Sequence, residues 1–347
     1  MPLTARIELD RCFHYRVSSR LSKNIGYLSA SFAIFVKTIK MLSPKSISFA
    51  IVISLLLTFT SCAVKPHYAN RAERLLAELR DPTSEYVFVM AHRADWRNWP
   101  ENSLEAIESA IQMGCDILEL DVALTRDSQL VLSHDPTLDR MTNGHGRISD
   151  YTLAELKELR LRHPHGVVTE NLRIATLKEA LKVCEGRALI QIDHGWDLYD
   201  EVLRDAREVG LENLIIMKGR TYVDRKEMMY APQLSVPKEQ GYKLFAQYKE
   251  SGIVPPCYEI VFTEQSPEVE AFAKDIVTSG SRVWVGTMWK AADGGLDDDR
   301  AALSGNPDEI YGKLIEMGCS VIMTDRPAQV IESLHRMGRH AALGVVE

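Results

Sequence analysis

From Glu85 onward, short apolar runs rich in β-branched residues alternate with stretches of helical periodicity. This alternation is typical of parallel strands that are joined by right-handed helical crossovers. The predicted strands are Tyr86–Ala91, Ile117–Val122, Leu130–Ser133, Ala188–Asp193, Leu214–Lys218, Tyr230–Val236, Tyr258–Phe262, Arg282–Trp289 and Ser320–Thr324. Helical patterns fill most of the segments between them, and Thr176 with Glu179 has the spacing of a capping box at one helix start.

One pair of these strands is too close in sequence for a parallel crossover. Only a short turn, Thr125–Ser128, separates Leu130–Ser133 from the preceding strand, so we expect an antiparallel hairpin that extends the second strand. The eight remaining strands predict an α/β fold, the (β/α)8 TIM barrel. A doubly wound open sheet is the alternative, but no GxGxxG turn follows the first strand.

Polar residues gather where the predicted strands end, which is the face on which a barrel builds its active site. They are His92-Arg93, Glu119-Leu120-Asp121, His134-Asp135 and Gln191-Ile192-Asp193-His194.

The carboxylate pair of the second strand is the first candidate metal site. Glu119 and Asp121 are two residues apart on a strand and therefore point to the same side, while Leu118 and Leu120 face the other way. Unpaired carboxylates inside a barrel are costly, and ligands that are all oxygen suit Mg²⁺ or Ca²⁺. The sequence therefore predicts a divalent cation at this pair.

Two histidines and an arginine accompany the carboxylates. Imidazole can act as acid or base near neutral pH, so His92 and His134 are candidates for these roles, and Arg93 offers a planar fork to phosphate oxygens. Together with a metal that polarises a phosphoryl group, these residues predict a site for an anionic ester.

The ordered set of motifs resembles the glycerophosphodiester phosphodiesterases, which are TIM barrels of the phospholipase C-like phosphodiesterase type. The motifs are His92-Arg93, Pro100-Glu101-Asn102-Ser103, Glu119-Leu120-Asp121-Val122, Thr125-Arg126-Asp127, His134-Asp135, Leu138–Gly144, Trp284–Trp289 and Thr324-Asp325-Arg326-Pro327. The resemblance covers about residues 86–334 and is far more specific as an ordered set than any one motif.

The resemblance implies metal-dependent hydrolysis of glycerophosphodiesters, small-molecule substrates, to glycerol 3-phosphate and an alcohol. Carried over by position, His92 and His134 form the acid/base pair. Glu119 and Asp121 bind the metal, Arg93 contacts phosphate, and Glu101 lines the site.

This chain departs from the family pattern at three positions. Ala94 replaces the Gly that usually follows His-Arg, and Gly286 stands where a polar side chain is common. The third strand of the barrel, Ala188–Asp193, has Gln191-Ile192-Asp193 in place of Glu-x-Lys. We favour Asp193 over Gln191 as the third metal ligand, because a carboxylate holds a cation better than an amide does. Gln191 then remains a candidate for contact with the substrate.

Several other residues are weaker candidates. Lys218 ends the fourth barrel strand and could meet phosphate, and Trp289 could rim the pocket together with Trp96, Trp99 and Trp196. The segment 293–299 is acidic, and we expect a solvated loop more than a calcium site. Glu259 lies so early in the sixth barrel strand that we expect it to be away from the catalytic face.

Charge and cysteine content exclude other classes of protein. Acidic side chains outnumber basic ones, 48 to 41, and the formal net charge is −7, so nucleic acid is not an expected partner. None of the six cysteines forms a CxxC pair, and we expect the four beyond residue 100 to be buried thiols.

The N-terminal region resembles a targeting signal. Lys45, the apolar run 47–59 and the small residues before Cys62 resemble a bacterial lipoprotein signal over 41–62, with Cys62 as the lipid-anchored residue. A retained anchor and a plain signal peptide are the alternatives. Residues 1–40 would be an over-extended start or a cytoplasmic extension, 63–84 a tether with a short helix, and 85–340 the catalytic domain. This organisation predicts a membrane-anchored lipoprotein of the bacterial cell envelope.

The resemblance leaves two functional alternatives open. A phospholipase D-like enzyme acting on lipid head groups could use the same barrel, and an Asp as third ligand is compatible with that. The altered third strand also allows a non-catalytic lipoprotein that binds phosphorylated head groups.

Overall fold

The computed structural model describes residues 68–340, which form a closed barrel of parallel strands. The strands are β1 Phe88–Ala91, β2 Ile117–Leu124, β3 Leu130–Leu132, β4 Leu189–Asp193, β5 Ile215–Gly219, β6 Met229–Ser235, β7 Cys257–Val261, β8 Arg282–Gly286 and β9 Cys319–Thr324. Eight of them pair in parallel, and β1 pairs with both β2 and β9, which closes the ring. The antiparallel β3 extends β2, with Val122 opposite Leu132. The (β/α)8 barrel and its hairpin are therefore confirmed.

Helices follow most of the barrel strands. They are α1 Arg71–Arg80, α2 Leu104–Met113, α3 Leu153–Glu158, α4 Leu177–Cys184, α5 Tyr199–Val209, α6 Glu239–Ser251, α7 Pro267–Thr278, α8 Lys290–Asp293, α9 Asp298–Leu303, α10 Pro307–Met317 and α11 Pro327–Arg336. The predicted capping box is present: the Thr176 hydroxyl accepts from the Glu179 amide, and the Glu179 carboxylate accepts from the Thr176 amide.

The strands are buried on both faces, because helices cover the outside and side chains fill the inside. Every residue of β1 and of β8 is buried. A smaller apolar cluster lies beneath the excursion between β3 and α4, formed by Val131, Leu138, Ile148, Leu156, Leu161 and Ile174. The polar residues at the strand ends are therefore positioned by well-packed strands.

Helix α1 packs against the barrel at the end where the strands begin. Its side chains Leu75, Leu76 and Leu79 are buried, and the Arg282 guanidinium donates to the carbonyls of Glu78 and Leu79. The compact unit accordingly begins at Tyr68. The short helix expected within 63–84 is thus part of that unit. The predicted signal 41–62 and Cys62 lie outside the described residues.

The cysteines within residues 68–340 are buried free thiols, as predicted: Cys115, Cys184, Cys257 and Cys319. Burial raises the pKa of each thiol. None of the helices in this same range is both long enough and apolar enough to cross a bilayer.

Candidate active site

Three carboxylates meet beside the end of β4, on the neighbouring strands β2 and β4. Glu119 and Asp121 point inward from β2, and Asp193 ends β4 directly opposite Asp121. One oxygen from each of the three lies within 4.8 Å of the other two. The structure therefore brings together the residues predicted to bind a metal.

The carboxylate cluster carries strong mutual repulsion. Burial, together with the charge of Asp121, raises the pKa of Glu119 to about 8. Asp121 is only 1% exposed, and its Oδ1 has no hydrogen-bond partner among residues 68–340. An unpaired buried oxygen in an all-carboxylate cluster fits a hard divalent cation.

His92 lies next to this cluster, and Asp325 binds the nitrogen of its ring that faces away from the site. Its Nδ1 is 2.7 Å from Asp325 Oδ1, an oxygen that also accepts from Trp96 Nε1. Burial opposes the imidazolium form, but the charges of Glu119 and Asp325 outweigh it and raise the pKa of His92. Since Asp325 engages Nδ1, Nε2 is the nitrogen left for the site.

The loop after β1 is bound to the carboxylates by its backbone and by Asn102. The Arg93 amide donates to Glu119 Oε2 at 2.6 Å, while Asn102 donates to Asp121 Oδ2 and accepts from the Asp121 amide. Arg93, Ala94 and Asn102 have positive φ angles of 51°, 60° and 58°. Ala94 thus adopts a left-handed conformation that glycine would adopt at lower cost, so strain is stored beside the site.

Glu101 is enclosed by arginines. It accepts from Arg140 at 2.5 and 2.8 Å and lies 3.3 Å from Arg93 Nη1. Burial opposes ionisation, but the hydrogen bonds from Arg140 and the charge of Arg93 lower the pKa of Glu101. Arg140 also binds Asp135, so one guanidinium connects the loops that follow β1 and β3.

His134 occupies the loop after β3. Its Nδ1 is 2.7 Å from Asp135 Oδ1, and its ring centroid is 4.9 Å from that of His194. Both predicted acid/base histidines are therefore oriented by an aspartate through Nδ1.

Lys218 forms a hydrogen bond with Asp193 Oδ2 and lies 3.8 Å from Glu259 Oε2. The expectation that Glu259 lies away from the catalytic face is therefore wrong. Glu259 is the middle residue of the short strand β7, and its buried carboxylate reaches across the barrel to Lys218. The two carboxylates outweigh the effect of burial and raise the pKa of Lys218.

Comparisons with known proteins find similarity to glycerophosphodiester phosphodiesterases. Residues 92–236 match the glycerophosphoryl diester phosphodiesterase family model, and residues 230–334 match a domain of unknown function. A glycerophosphodiester phosphodiesterase of Caldanaerobacter subterraneus is 35% identical over 158 residues, which are 43% of this chain and 65% of that protein.

Other relatives match over a greater length. A putative glycerophosphodiester phosphodiesterase of Bacillus subtilis is 29% identical over 258 residues, which are 73% of this chain and 99% of the relative. The crystal structure of a glycerophosphoryl diester phosphodiesterase from Parabacteroides distasonis superposes with a TM-score of 0.63 at 25% identity, covering 77% of this chain and 92% of that one. Over residues 92–236 the chain therefore resembles the glycerophosphoryl diester phosphodiesterase family.

Strand β4 departs from the family pattern at Gln191, and the structure shows where that side chain lies. Gln191 is level with Glu119 in the β2–β4 pairing and is completely buried. Neither Oε1 nor Nε2 of Gln191 has a hydrogen-bond partner within the described part of the chain. Asp193, two residues later, is the member of this strand that joins the carboxylate cluster.

A cavity of about 450 Å³ opens beside the cluster, lined by Asp193, His194, Trp196, Lys218, Arg220 and Gln233 among others. Trp289 is half exposed, with its ring 5.9 Å from that of His92. Its place at the rim of the pocket and its contact with substrate stay predictions.

The acidic segment 293–299 is largely structural. Asp293 accepts from the amides of Gly295 and Leu296, and Asp297 caps α9. Asp298 accepts from the hydroxyls of Thr287, Thr324 and Tyr311. Asp293 and Asp298 are buried rather than solvated, which corrects the expected solvated loop.

Sequence reasoning assigned no role to Arg140 or His194. Arg140 appeared only within the motif Leu138–Gly144, and its charge alone could not show that it binds Glu101. His194 was recognised only as the last residue of the polar run Gln191–His194 at the end of a barrel strand, and no role was assigned to it.

Proposed function

We propose that this protein is a metal-dependent phosphodiesterase that hydrolyses glycerophosphodiesters to glycerol 3-phosphate and an alcohol. The observation that carries the proposal is the placing of two aspartate-held histidines, His92 and His134, at the barrel end that bears the carboxylate cluster. A related phosphodiesterase from Oleispira antarctica, 21% identical, is described in complex with the product sn-glycerol-3-phosphate.

Glu119, Asp121 and Asp193 would hold the divalent cation, Mg²⁺ or Ca²⁺. When bound, the cation supplies polarisation of the phosphoryl oxygens and neutralises their charge. Lys218 holds Asp193 in place and provides a positive charge beside the cavity. Gln191 offers the substrate the unpaired groups of a buried amide.

The two histidines move the protons. One Nε2 accepts a proton as the attacking oxygen bonds to phosphorus, and the other donates a proton to the alcohol oxygen as its bond to phosphorus breaks. Asp325 and Asp135 fix the ring orientations and stabilise each imidazolium. Arg93, whose Nη1 is turned toward Glu101, is placed to orient a phosphate oxygen next to Asp121.

The test is release of glycerol 3-phosphate from glycerophosphocholine and glycerophosphoethanolamine by the purified full chain, with Mg²⁺, Ca²⁺ or EDTA. We expect metal-dependent release that His134→Ala lowers by about 100-fold or more. His145→Ala is the matched control, because His145 is exposed and pairs with Asp139 outside the site.

A folded chain that releases nothing in any of these conditions would contradict the proposal. Tight binding of the diesters without turnover would then favour the non-catalytic alternative, for which the hydrogen bond from Lys218 to Asp193 is the supporting observation. Release from lipid substrates alone would favour the phospholipase D-like alternative.

We also propose that the protein is anchored to an envelope membrane by lipid on Cys62. The apolar run 47–59 followed by small residues before Cys62 supports this. When the full chain is expressed in a bacterial host that lipidates lipoproteins, Cys62→Ser should move the protein from the membrane fraction to the soluble fraction and abolish palmitate labelling. An unchanged distribution with no labelling of the wild type would contradict the anchor.

A further inference from the structure

A second group of metal-ligating side chains adjoins the carboxylate cluster. Asp121, His134 and His194 each offer one donor atom, and these atoms lie within 4.8 Å of one another. Asp121 belongs to both groups, whereas His194 has no part in the proposed hydrolysis. The two groups also differ in chemistry, because the first consists of carboxylates and the second contains two imidazoles.

An unpaired buried oxygen points to a ligand at this second group. Asp121 Oδ2 accepts from Asn102, but Oδ1 has no hydrogen-bond partner among residues 68–340. The nearest ring nitrogen, His194 Nδ1, is 3.5 Å from Oδ1, which is longer than a good hydrogen bond. A cation between the two atoms would satisfy both of them.

Hydrogen bonds fix the ring of His134 and the backbone of His194. Asp135 engages His134 through Nδ1 and is itself bound by Arg140, so His134 Nε2 remains available as a ligand. A carboxylate behind a histidine is the usual arrangement in metal sites. His194 has a positive φ of 53°, and its amide donates to Asp193 Oδ1 at 2.8 Å. A strained backbone at a non-glycine residue is retained mostly at functional positions.

We propose that Asp121, His134 and His194 bind a second divalent cation, of the borderline-soft kind that Zn²⁺ represents, and that this cation inhibits the enzyme. Two imidazoles with one carboxylate form a donor set that suits Zn²⁺, whereas the carboxylate cluster suits Mg²⁺ or Ca²⁺. A cation bound to His134 Nε2 prevents that nitrogen from transferring a proton. The inhibition rests on the function proposed above, but the binding does not.

Binding is tested spectroscopically, with Co²⁺ as a coloured substitute for Zn²⁺. The full chain in excess Mg²⁺ should bind one Co²⁺ with visible absorption typical of nitrogen and oxygen ligands, and Zn²⁺ should displace it. We expect His194→Ala to weaken Co²⁺ binding at least tenfold, on the order of the loss found when metal sites are perturbed. His145→Ala should leave the absorption unchanged, and Glu119→Gln should retain it, because Glu119 belongs to the carboxylate cluster alone.

Inhibition is tested in the same preparations. Micromolar Zn²⁺ should inhibit the Mg²⁺-supported release of glycerol 3-phosphate, and His194→Ala should need at least tenfold more Zn²⁺ for half-inhibition relative to its own uninhibited rate. Absence of the Co²⁺ absorption, or its persistence in His194→Ala, overturns the site. Absorption without any hydrolysis in Mg²⁺ overturns the proposed function and the inhibition, and it supports the site.

Discussion

Gln191 is one of the positions at which this chain departs from the glycerophosphodiester phosphodiesterase pattern, and its buried environment makes the effect of the departure measurable. The Gln191 amide is completely buried and has no hydrogen-bond partner among residues 68–340, so its burial costs desolvation free energy that a bound group would offset. Gln191→Met keeps a side chain of similar size and shape and removes the desolvation cost of the amide. We expect the free energy of unfolding in EDTA to stay level or to rise by about 1 kcal/mol, while hydrolysis in Mg²⁺ falls at least tenfold.

Gln233→Met is the matched control for this substitution, on another strand of the same barrel. Gln233 Nε2 donates to Glu259 Oε2 at 2.6 Å, so its loss leaves a buried carboxylate short of a donor. Urea unfolding should show a loss of about 1–3 kcal/mol for Gln233→Met. Equal losses for the two variants would mean that Gln191 has a partner in the metal-free protein.

Glu101 gives the site a defined response to acid. Because its pKa is lowered from the ordinary value of 4.5, its carboxylate stabilises the fold above that value, and the contribution is lost as pH falls through the lowered pKa. Glu101→Gln should therefore lower the free energy of unfolding by about 1–3 kcal/mol at pH 7. The difference in free energy of unfolding between the wild type and Glu101→Gln should become smaller between pH 5 and pH 3. A gap that stays constant across this range would show that the carboxylate charge contributes nothing.

Residues that end a strand could be identified from sequence, but residues that act across the barrel could not. His92 and Asp193 were identified because they come at the ends of apolar strands, and Glu119 and Asp121 because their two-residue spacing puts them on one face of a strand. Glu259 was misplaced because the reach of its side chain toward Lys218 depends on strand register, which the sequence does not encode locally.

At the scale of elements, predictions succeeded where local physics decides. The strands were found because parallel strands covered on both faces have continuous apolar sequences, and α4 was found from its capping box. The prediction failed after Gly286, where the strand was expected to continue to Trp289 and a solvated acidic loop was expected to follow. There β8 ends at Gly286, and α9 begins at Asp298 with Asp297 as its N-cap. Thr287 and Thr324 hydrogen-bond to Asp298 in a buried network formed by distant segments.

Helix α1 offers a matched pair of arginines that separates its attachment to the barrel from its helix propensity. Arg71 donates to Asp116 Oδ1 and to the carbonyls of Gly114, Cys115 and Arg187, whereas Arg80 is exposed. Arg71→Ala should lower the free energy of unfolding by about 2–4 kcal/mol, because several charged hydrogen bonds are lost. Arg80→Ala should change it by less than about 0.5 kcal/mol. Similar losses for both, measured by urea unfolding, would show that the contacts of Arg71 are not stabilising.

At the scale of the whole barrel, the end at which the strands finish and the end at which they begin differ in function. The end where strands finish carries the strained loops, the carboxylates and the histidines. The other end is built for stability, as is general in this fold. There Asp116 accepts from Arg71, from the Tyr86 hydroxyl and from the Val89 amide, and it lies 3.0 Å from His340 Nε2. This single buried carboxylate joins segments from both ends of the described chain.

The stabilising role of that end predicts how the protein responds to shortening. A chain that starts at residue 82 lacks α1. It loses the burial of Leu75, Leu76 and Leu79 and leaves the Arg282 guanidinium without three of its four carbonyl acceptors, those of Glu78, Leu79 and Asp81. Three leucines at about 1.5–3 kcal/mol each correspond to at least about 5 kcal/mol, and therefore to a fall in Tm on the order of 10 °C. A chain that starts at residue 68 should instead unfold at the temperature of the full chain. Calorimetry on all three chains in the same buffer measures these Tm values. If the chain from residue 82 has the same Tm as the other two, α1 does not stabilise the barrel and the folded unit begins after it.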